Sequence, residues 1–261
     1  MEQNLIEFEP RPGIVQLTLN RPAARNALDI DLITTLLAAL SYHSLRAATR
    51  VIIIKASGTA FCAGADLNAM RALGQGTLDL NIADAKSLAT LLLALRRSPK
   101  PTVAVVQGPA FGGGAGLASA CDVAIGAEEA LFCFPEVRLG IVPAIISPYV
   151  IEAIGPRQAR RYFLSGEILS ADRACSLGLL HAVVPSSKLN DEALRIAGEL
   201  ANGGPEALAI AKELFSEVAG RHQDETLGLT LATRLATLRA GAEAQEGLAA
   251  RIAHRTPRWM L

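Results

Sequence analysis

Val105-Val106-Gln107-Gly108-Pro109-Ala110-Phe111-Gly112-Gly113-Gly114-Ala115-Gly116-Leu117-Ala118-Ser119-Ala120-Cys121-Asp122 is the stretch on which the reading of this chain turns. The apolar, β-branched run Thr102–Val106 predicts a buried strand. Pro109 and three glycines break it, and the small residues from Ala115 to Ala120 predict a tightly packed helix. Such a turn leaves backbone N–H groups uncovered where the helix dipole favours negative charge. It suits a phosphate, or an oxygen on which charge develops during a reaction. It equally suits a packing turn with nothing bound, and the stretch alone leaves both readings open.

Outward from it, strands and helices alternate. Leu5–Phe8 and Ile14–Leu19 predict a hairpin about a Pro10–Gly13 turn. A helical stripe spans 29–48, and Val51–Ile54 reads as a buried strand. Ser57–Leu67 is a loop that opens a helix near Asp66, a good N-terminal residue. Residues 68–78 read as a mobile segment, and 80–97 as a helix stopped by Pro99 and Pro101. Strands follow at Val123–Ile125 and Leu131–Phe134, then helices over 144–180 broken at Gly155-Pro156, with Ser170 as the cap of 171–177. His181–Val184 reads as a last short strand, and the remainder is helical, interrupted at Gly203-Gly204-Pro205. The expected class is α/β with a largely parallel sheet and right-handed crossovers. The expected division is a core over 1–200 and a helical unit over 201–261.

Composition narrows the function classes. Lys+Arg and Asp+Glu are 25 each, which gives no basic footprint for nucleic acid and no attraction to an anionic membrane surface. No apolar run reaches the length of a membrane span. Met1-Glu2-Gln3-Asn4 carries neither a secretory nor an Arg-rich transit pattern. Cys62, Cys121, Cys133 and Cys175 are scattered, as are the four histidines, so no metal site is expected and the chain fits a cytoplasmic setting. The glycines at 112, 113, 114 and 116 do not fit G-x-G-x-x-G.

Two loops share one design, an apolar strand, a small-residue turn and a helix start: Ala63-Gly64-Ala65-Asp66 and Phe111-Gly112-Gly113-Gly114. If the two turns converge, each offers one N–H to a single oxygen. Glu136 is the third feature. It follows Leu131-Phe132-Cys133-Phe134-Pro135, an apolar approach that raises a carboxyl's pKa and suits it to proton transfer near neutrality. The competing reading is a solvated strand end paired with Arg138.

These residues carry a resemblance. Asn20-Arg21-Pro22 with Asn26-Ala27-Leu28, then 60–67, 108–114, Ala120-Cys121-Asp122, 134–140 and the ending Glu246-Gly247…His254-Arg255-Thr256-Pro257 resemble the crotonase, or enoyl-CoA hydratase/isomerase, superfamily along essentially the whole chain. The resemblance implies a crotonase-type spiral of ββα units with a helical C-terminal trimerisation domain, as a homotrimer or dimer of trimers. It implies an acyl-CoA substrate, with coenzyme A arriving as part of it and no further cofactor. The N–H groups of Ala65 and Gly113 would hold the thioester oxygen and Glu136 would transfer protons. Ala63 would face the adenine. Arg21, Arg25 and the neighbouring Asp66 would line the coenzyme A side.

The chain departs from the family at one catalytic position. Family hydratases carry two glutamates twenty residues apart; Glu136 matches the second, and the first position holds Gly116. After the second glutamate the chain reads Pro143-Ala144-Ile145-Ile146-Ser147-Pro148. Both departures resemble bacterial methylglutaconyl-CoA hydratase-type proteins of leucine and terpenoid breakdown. The implied reaction is hydration of a short branched or carboxylated enoyl-CoA, with Ser147 or Tyr149 as possible water ligands and Arg71 as a possible partner of a distal carboxylate. A single-glutamate Δ3–Δ2 isomerase and a non-catalytic acyl-CoA binder are the alternatives.

Overall fold

The computed structural model describes residues 3–260; Met1, Glu2 and Leu261, which enter the readings of the two termini, lie outside them. Strand β1 (Leu5–Arg11) pairs antiparallel with β2 (Ile14–Leu19). The turn is tighter than the sequence suggested. Pro10 stays within β1, with a register shift between Phe8 and Arg11. β1 ends the sheet, and an edge strand tolerates a missing N–H.

The chain then alternates: α1 (Ile30–Leu45), β3 (Val51–Ala56), α2 (Leu67–Gly74), α3 (Leu78–Arg97), β4 (Thr102–Val106), β5 (Ala110–Phe111), α4 (Gly113–Ala120), β6 (Val123–Ala127), β7 (Leu131–Cys133), α5 (Ser147–Ser165), β8 (Leu169–Ser170), α6 (Ala171–Leu177) and β9 (Ala182–Val184). Local chemistry sets the helix starts. Asp29, Asp66, Thr77 and Ser170 each accept a hydrogen bond from a first-turn N–H. The expected mobile segment is thus largely a capped helix, α2. Gly155, with φ 75°, breaks α5 in the middle as its Gly-Pro pair predicts.

The large sheet has the order β1-β2-β3-β4-β6-β9, parallel from β2 onward. A second layer, β5-β7-β8, is continued by single bridges at Leu28↔Ala65 and Cys62↔Ala110. Each turn of the chain therefore lays one strand in the large sheet, one short strand in the second layer, and a helix outside. That is a spiral of ββα turns. Strand β3 shows why its run is continuously apolar. Ile52 and Ile54 pack with Leu17, Leu19, Ala104 and the inner helices, while Val51 and Ile53 pack with Val103, Ile125 and α7 (Leu189–Ala201) on the other face.

Beyond α7 come α8 (Pro205–Val218), α9 (Glu225–Ala240) and α10 (Ala242–Ile252). Two polar ties bind this end to the core. The Arg50 guanidinium, at the foot of β3 and only 7% exposed, donates to the carbonyls of Ala201, Gly203 and Trp259. The Lys212 ammonium on α8 donates to Asp122 Oδ2 at 2.6 Å and to the Lys100 carbonyl. Asp122 also accepts from the N–H and hydroxyl of Thr102, so it joins the starts of β4 and β6. No described helix is long and apolar enough to cross a membrane.

Candidate active site

The second layer brings the two small-residue loops together. Cys62 pairs in parallel with Ala110: Cys62 N–H donates to the Pro109 carbonyl at 3.1 Å and Phe111 N–H to the Cys62 carbonyl at 2.9 Å. Carried three residues forward, this register sets Ala65 beside Gly113. A Cβ on Gly64 would stand 3.8 Å from the Gly113 nitrogen. It would also stand 3.0 Å from the Phe111 carbonyl oxygen, and Gly64 has φ 97°, so close approach and backbone both require glycine there.

Both expected donors are free. The Leu28–Ala65 bridge engages Leu28 N–H with the Gly64 carbonyl and Asp66 N–H with the Leu28 carbonyl, and passes over the Ala65 N–H. Gly113 is the first residue of α4, where a helix has no internal acceptor for the N–H. Among the described residues neither N–H has a protein acceptor. Two unengaged donors thus stand on neighbouring loops, that of Gly113 at the positive end of a helix dipole.

Glu136 arrives on the adjacent turn of the spiral. Phe111 pairs with Cys133, and Gly112 N–H donates to the Cys133 carbonyl at 2.8 Å. The chain leaves β7 through buried Phe134 into a 3-10 turn over Glu136–Leu139. A Cβ on Gly112 would lie 3.0 Å from Glu136 Oε1, and Gly112 has φ 47°. The carboxyl therefore presses against the start of α4. Its Oε2 is buried without a hydrogen-bond partner among the described residues. Burial pushes the Glu136 carboxyl above the usual carboxylate range, partly opposed by its own backbone N–H. The competing reading fails, because Arg138 turns away to the Ser165 carbonyl.

Apolar side chains collar the same end of α4. Cβ atoms built on Gly113 and Gly116 would approach Leu28 and Leu88, and Ile146 and Leu92, respectively. Cys62 is buried, its thiol pushed up to about 12, and packs there as an inert side chain.

The remaining expected residues divide. Ala63 N–H donates to the Arg25 carbonyl at 2.9 Å, so Ala63 and exposed Arg25 are neighbours at the mouth of the first loop. Arg21 is turned inward to Asp29 at 2.8 Å and to the Ala27 carbonyl. Asp66 Oδ1 caps α2 through Asn68 and Ala69. Ser147 donates its hydroxyl to the Ala144 carbonyl. The Tyr149 hydroxyl is raised by burial and feels Arg96 and Arg97, at the far end of α3. Arg71 is exposed on α2.

Sequence reasoning missed Asn26. It is fully buried with φ 54°; its Oδ1 accepts from Arg21 N–H, and its Nδ2 donates to the carbonyls of Ser57 and Ala60. It ties the loop after β2 to the loop before Ala63. The available signal was an asparagine, tolerant of left-handed backbone, in an otherwise small and apolar Asn-Ala-Leu.

Comparison with known proteins agrees with this fold. The enoyl-CoA hydratase/isomerase family model matches residues 9–260. The 2,3-dehydroadipyl-CoA hydratase of Escherichia coli is 36% identical over 248 residues, covering 94% of each chain. The mevalonyl-coenzyme A hydratase sidH of Aspergillus fumigatus is 32% identical over 259 residues, covering 98% of this chain and 94% of that one. The crystal structure of an enoyl-CoA hydratase from Shewanella pealeana superposes with a TM-score of 0.95 at 37% identity, covering 98% of this chain and 96% of that one. With the spiral, its second layer and the match all running the length of the chain, the protein belongs to the enoyl-CoA hydratase/isomerase family and is an enzyme of the crotonase fold.

Proposed function

We propose that this enzyme hydrates the 2,3 double bond of a short branched or carboxylated enoyl-CoA, 3-methylglutaconyl-CoA among them, with Glu136 as its single acid–base group. The observation that carries this reading is the meeting of three features at one helix end: the free N–H groups of Ala65 and Gly113, and the partnerless carboxyl oxygen of Glu136. The thioester oxygen accepts from both N–H groups. Glu136, ionised, takes a proton from one water as its oxygen bonds to C3. The electron pair of the double bond moves toward the thioester, and the enolate oxygen is held by the two donors. Glu136 then delivers the proton to C2. A raised pKa suits both halves of this exchange.

Ala63 and Arg25 would face the coenzyme A portion, its adenine and phosphates, with Arg21 and Asp66 behind them as braces. The adipyl and mevalonyl groups in the names of two relatives are substituted short acyl groups of the expected kind. The helices over 201–261 would join copies of the chain into a trimer or a dimer of trimers.

A second reading, Δ3–Δ2 isomerisation, draws on the same lone carboxyl. Gly116 supplies no second acid, and a single group suffices to carry a proton between C2 and C4. The absorbance of the conjugated enoyl thioester tests both. Supplied with 2-enoyl and 3-methylglutaconyl thioesters, a hydratase bleaches it; supplied with 3-enoyl thioesters, an isomerase raises it. A parent enzyme that leaves all of them unchanged, or a Glu136→Gln variant as active as the parent, overturns the proposal.

A further inference from the structure

We propose that Ile146 is the specificity-determining residue of the acyl site, the end wall that limits how far a substrate extends past its reacting carbons. The inference rests on the placement of the thioester oxygen at Ala65 and Gly113. With the oxygen there and the reacting carbons facing Glu136, the acyl group lies along the amino end of α4. Glu136 Oε1 flanks Gly112, and Gly116 stands one helical turn further on, about 6 Å along the axis. At that turn a Cβ on residue 116 would lie 2.2 Å from Ile146 Cγ2 and 2.7 Å from Ile146 Cβ, with Leu92 behind at 3.6 Å. Ile146 thus occupies the room that any side chain at 116 would need. It is 2% exposed, and it sits immediately before α5, at the end of the loop that follows Glu136.

The chemistry follows from this wall. Leu28 and Leu88 beside Gly113, and Leu92 and Ile146 beside Gly116, set apolar, branched side chains along this part of α4. A chain running straight on from the reacting carbons meets Ile146, whereas a small branch fits against it. The class selected is a compact acyl group, and any distal polar substituent must bend away from α4.

Three measurements test this. The first is kcat/KM for crotonyl, 3-methylcrotonyl, hexenoyl and octenoyl thioesters in the parent, Ile146→Val and Ile146→Ala. The ratio of octenoyl to crotonyl should rise at least tenfold in Ile146→Ala and less in Ile146→Val. A ratio within twofold of the parent in a folded Ile146→Ala overturns the proposal. If Ile146→Ala does not fold, an unchanged ratio in Ile146→Val does so. The second is calorimetric binding of the unreactive butyryl and octanoyl thioesters, which needs no turnover. A shifted binding ratio without hydration by the parent defeats the hydratase reading and leaves the wall standing. Gly116→Ala should lower Tm, and Gly116→Ala/Ile146→Ala should recover it; failure of that recovery also counts against the wall.

Discussion

Strands β2, β3 and β4 bury side chains on both faces, whereas among the described residues α8 has no buried residue and α9 and α10 have one each, Leu227 and Ala250. Yet these last helices are not polar: Phe215, Leu229, Leu235, Leu248 and Ile252 are all at least half exposed. The spiral completes its core within one chain. The helical end leaves these apolar side chains uncovered. The candidate site thus lies in the spiral, and Arg50 and Lys212 are polar ties between it and the helical end.

The comparison can be broken first at the site. Glu136→Gln should lower kcat about 10²–10⁴-fold, or roughly 3–5 kcal/mol of barrier, while light scattering finds the parent's assembly unchanged. The joint comes next. Arg50→Ala leaves the carbonyls of Ala201, Gly203 and Trp259 without their charged donor, and should cost about 3 kcal/mol in denaturant unfolding. Asn26→Ala stays within the spiral. Losing its three hydrogen bonds should cost about 2 kcal/mol and also slow turnover, because the loop it braces leads to Ala63. Leu235→Glu acts on the uncovered side alone. Its effect on the unfolding of the isolated chain should stay within about 0.5 kcal/mol, while size-exclusion chromatography shows dissociation. An unchanged elution would mean that α9 is not the joining face.

The smallest effect is a titration. Burial raises the folded pKa of Glu136 above its unfolded value, so the folded state holds its proton to higher pH. Stability contributed by this group is then present at low pH and lost as pH rises through the raised pKa. Glu136→Gln should therefore raise Tm slightly at pH 8 and by less at pH 5. In the parent, kcat/KM should rise with pH through the same raised value, because the base must be ionised; that limb should vanish in the variant.

Much of the spiral was legible, because buried parallel strands announce themselves as short apolar runs: Val51–Ile54 and Thr102–Val106 sit where the sequence puts them. The two-residue strands β5 and β8 have no period to read. Of these, β5 carries Ala110, whose pairing with Cys62 sets Ala65 against Gly113, so the loops were recognisable singly and their meeting was not. Glu136 was legible through its apolar approach. Arg50 was not, since its partners are carbonyls at 201, 203 and 259, and a carbonyl is present at every residue. Asn26 lies between these cases, visible in a motif whose reason is a buried amide and a left-handed backbone.

Asp122 gives the Lys212 tie a mechanical meaning. The aspartate clasps the roots of two strands, one leading up to the amide of Gly113 and the other to the acid at 136. Lys212 therefore anchors α8 to the common footing from which the chain climbs to both donor and acid.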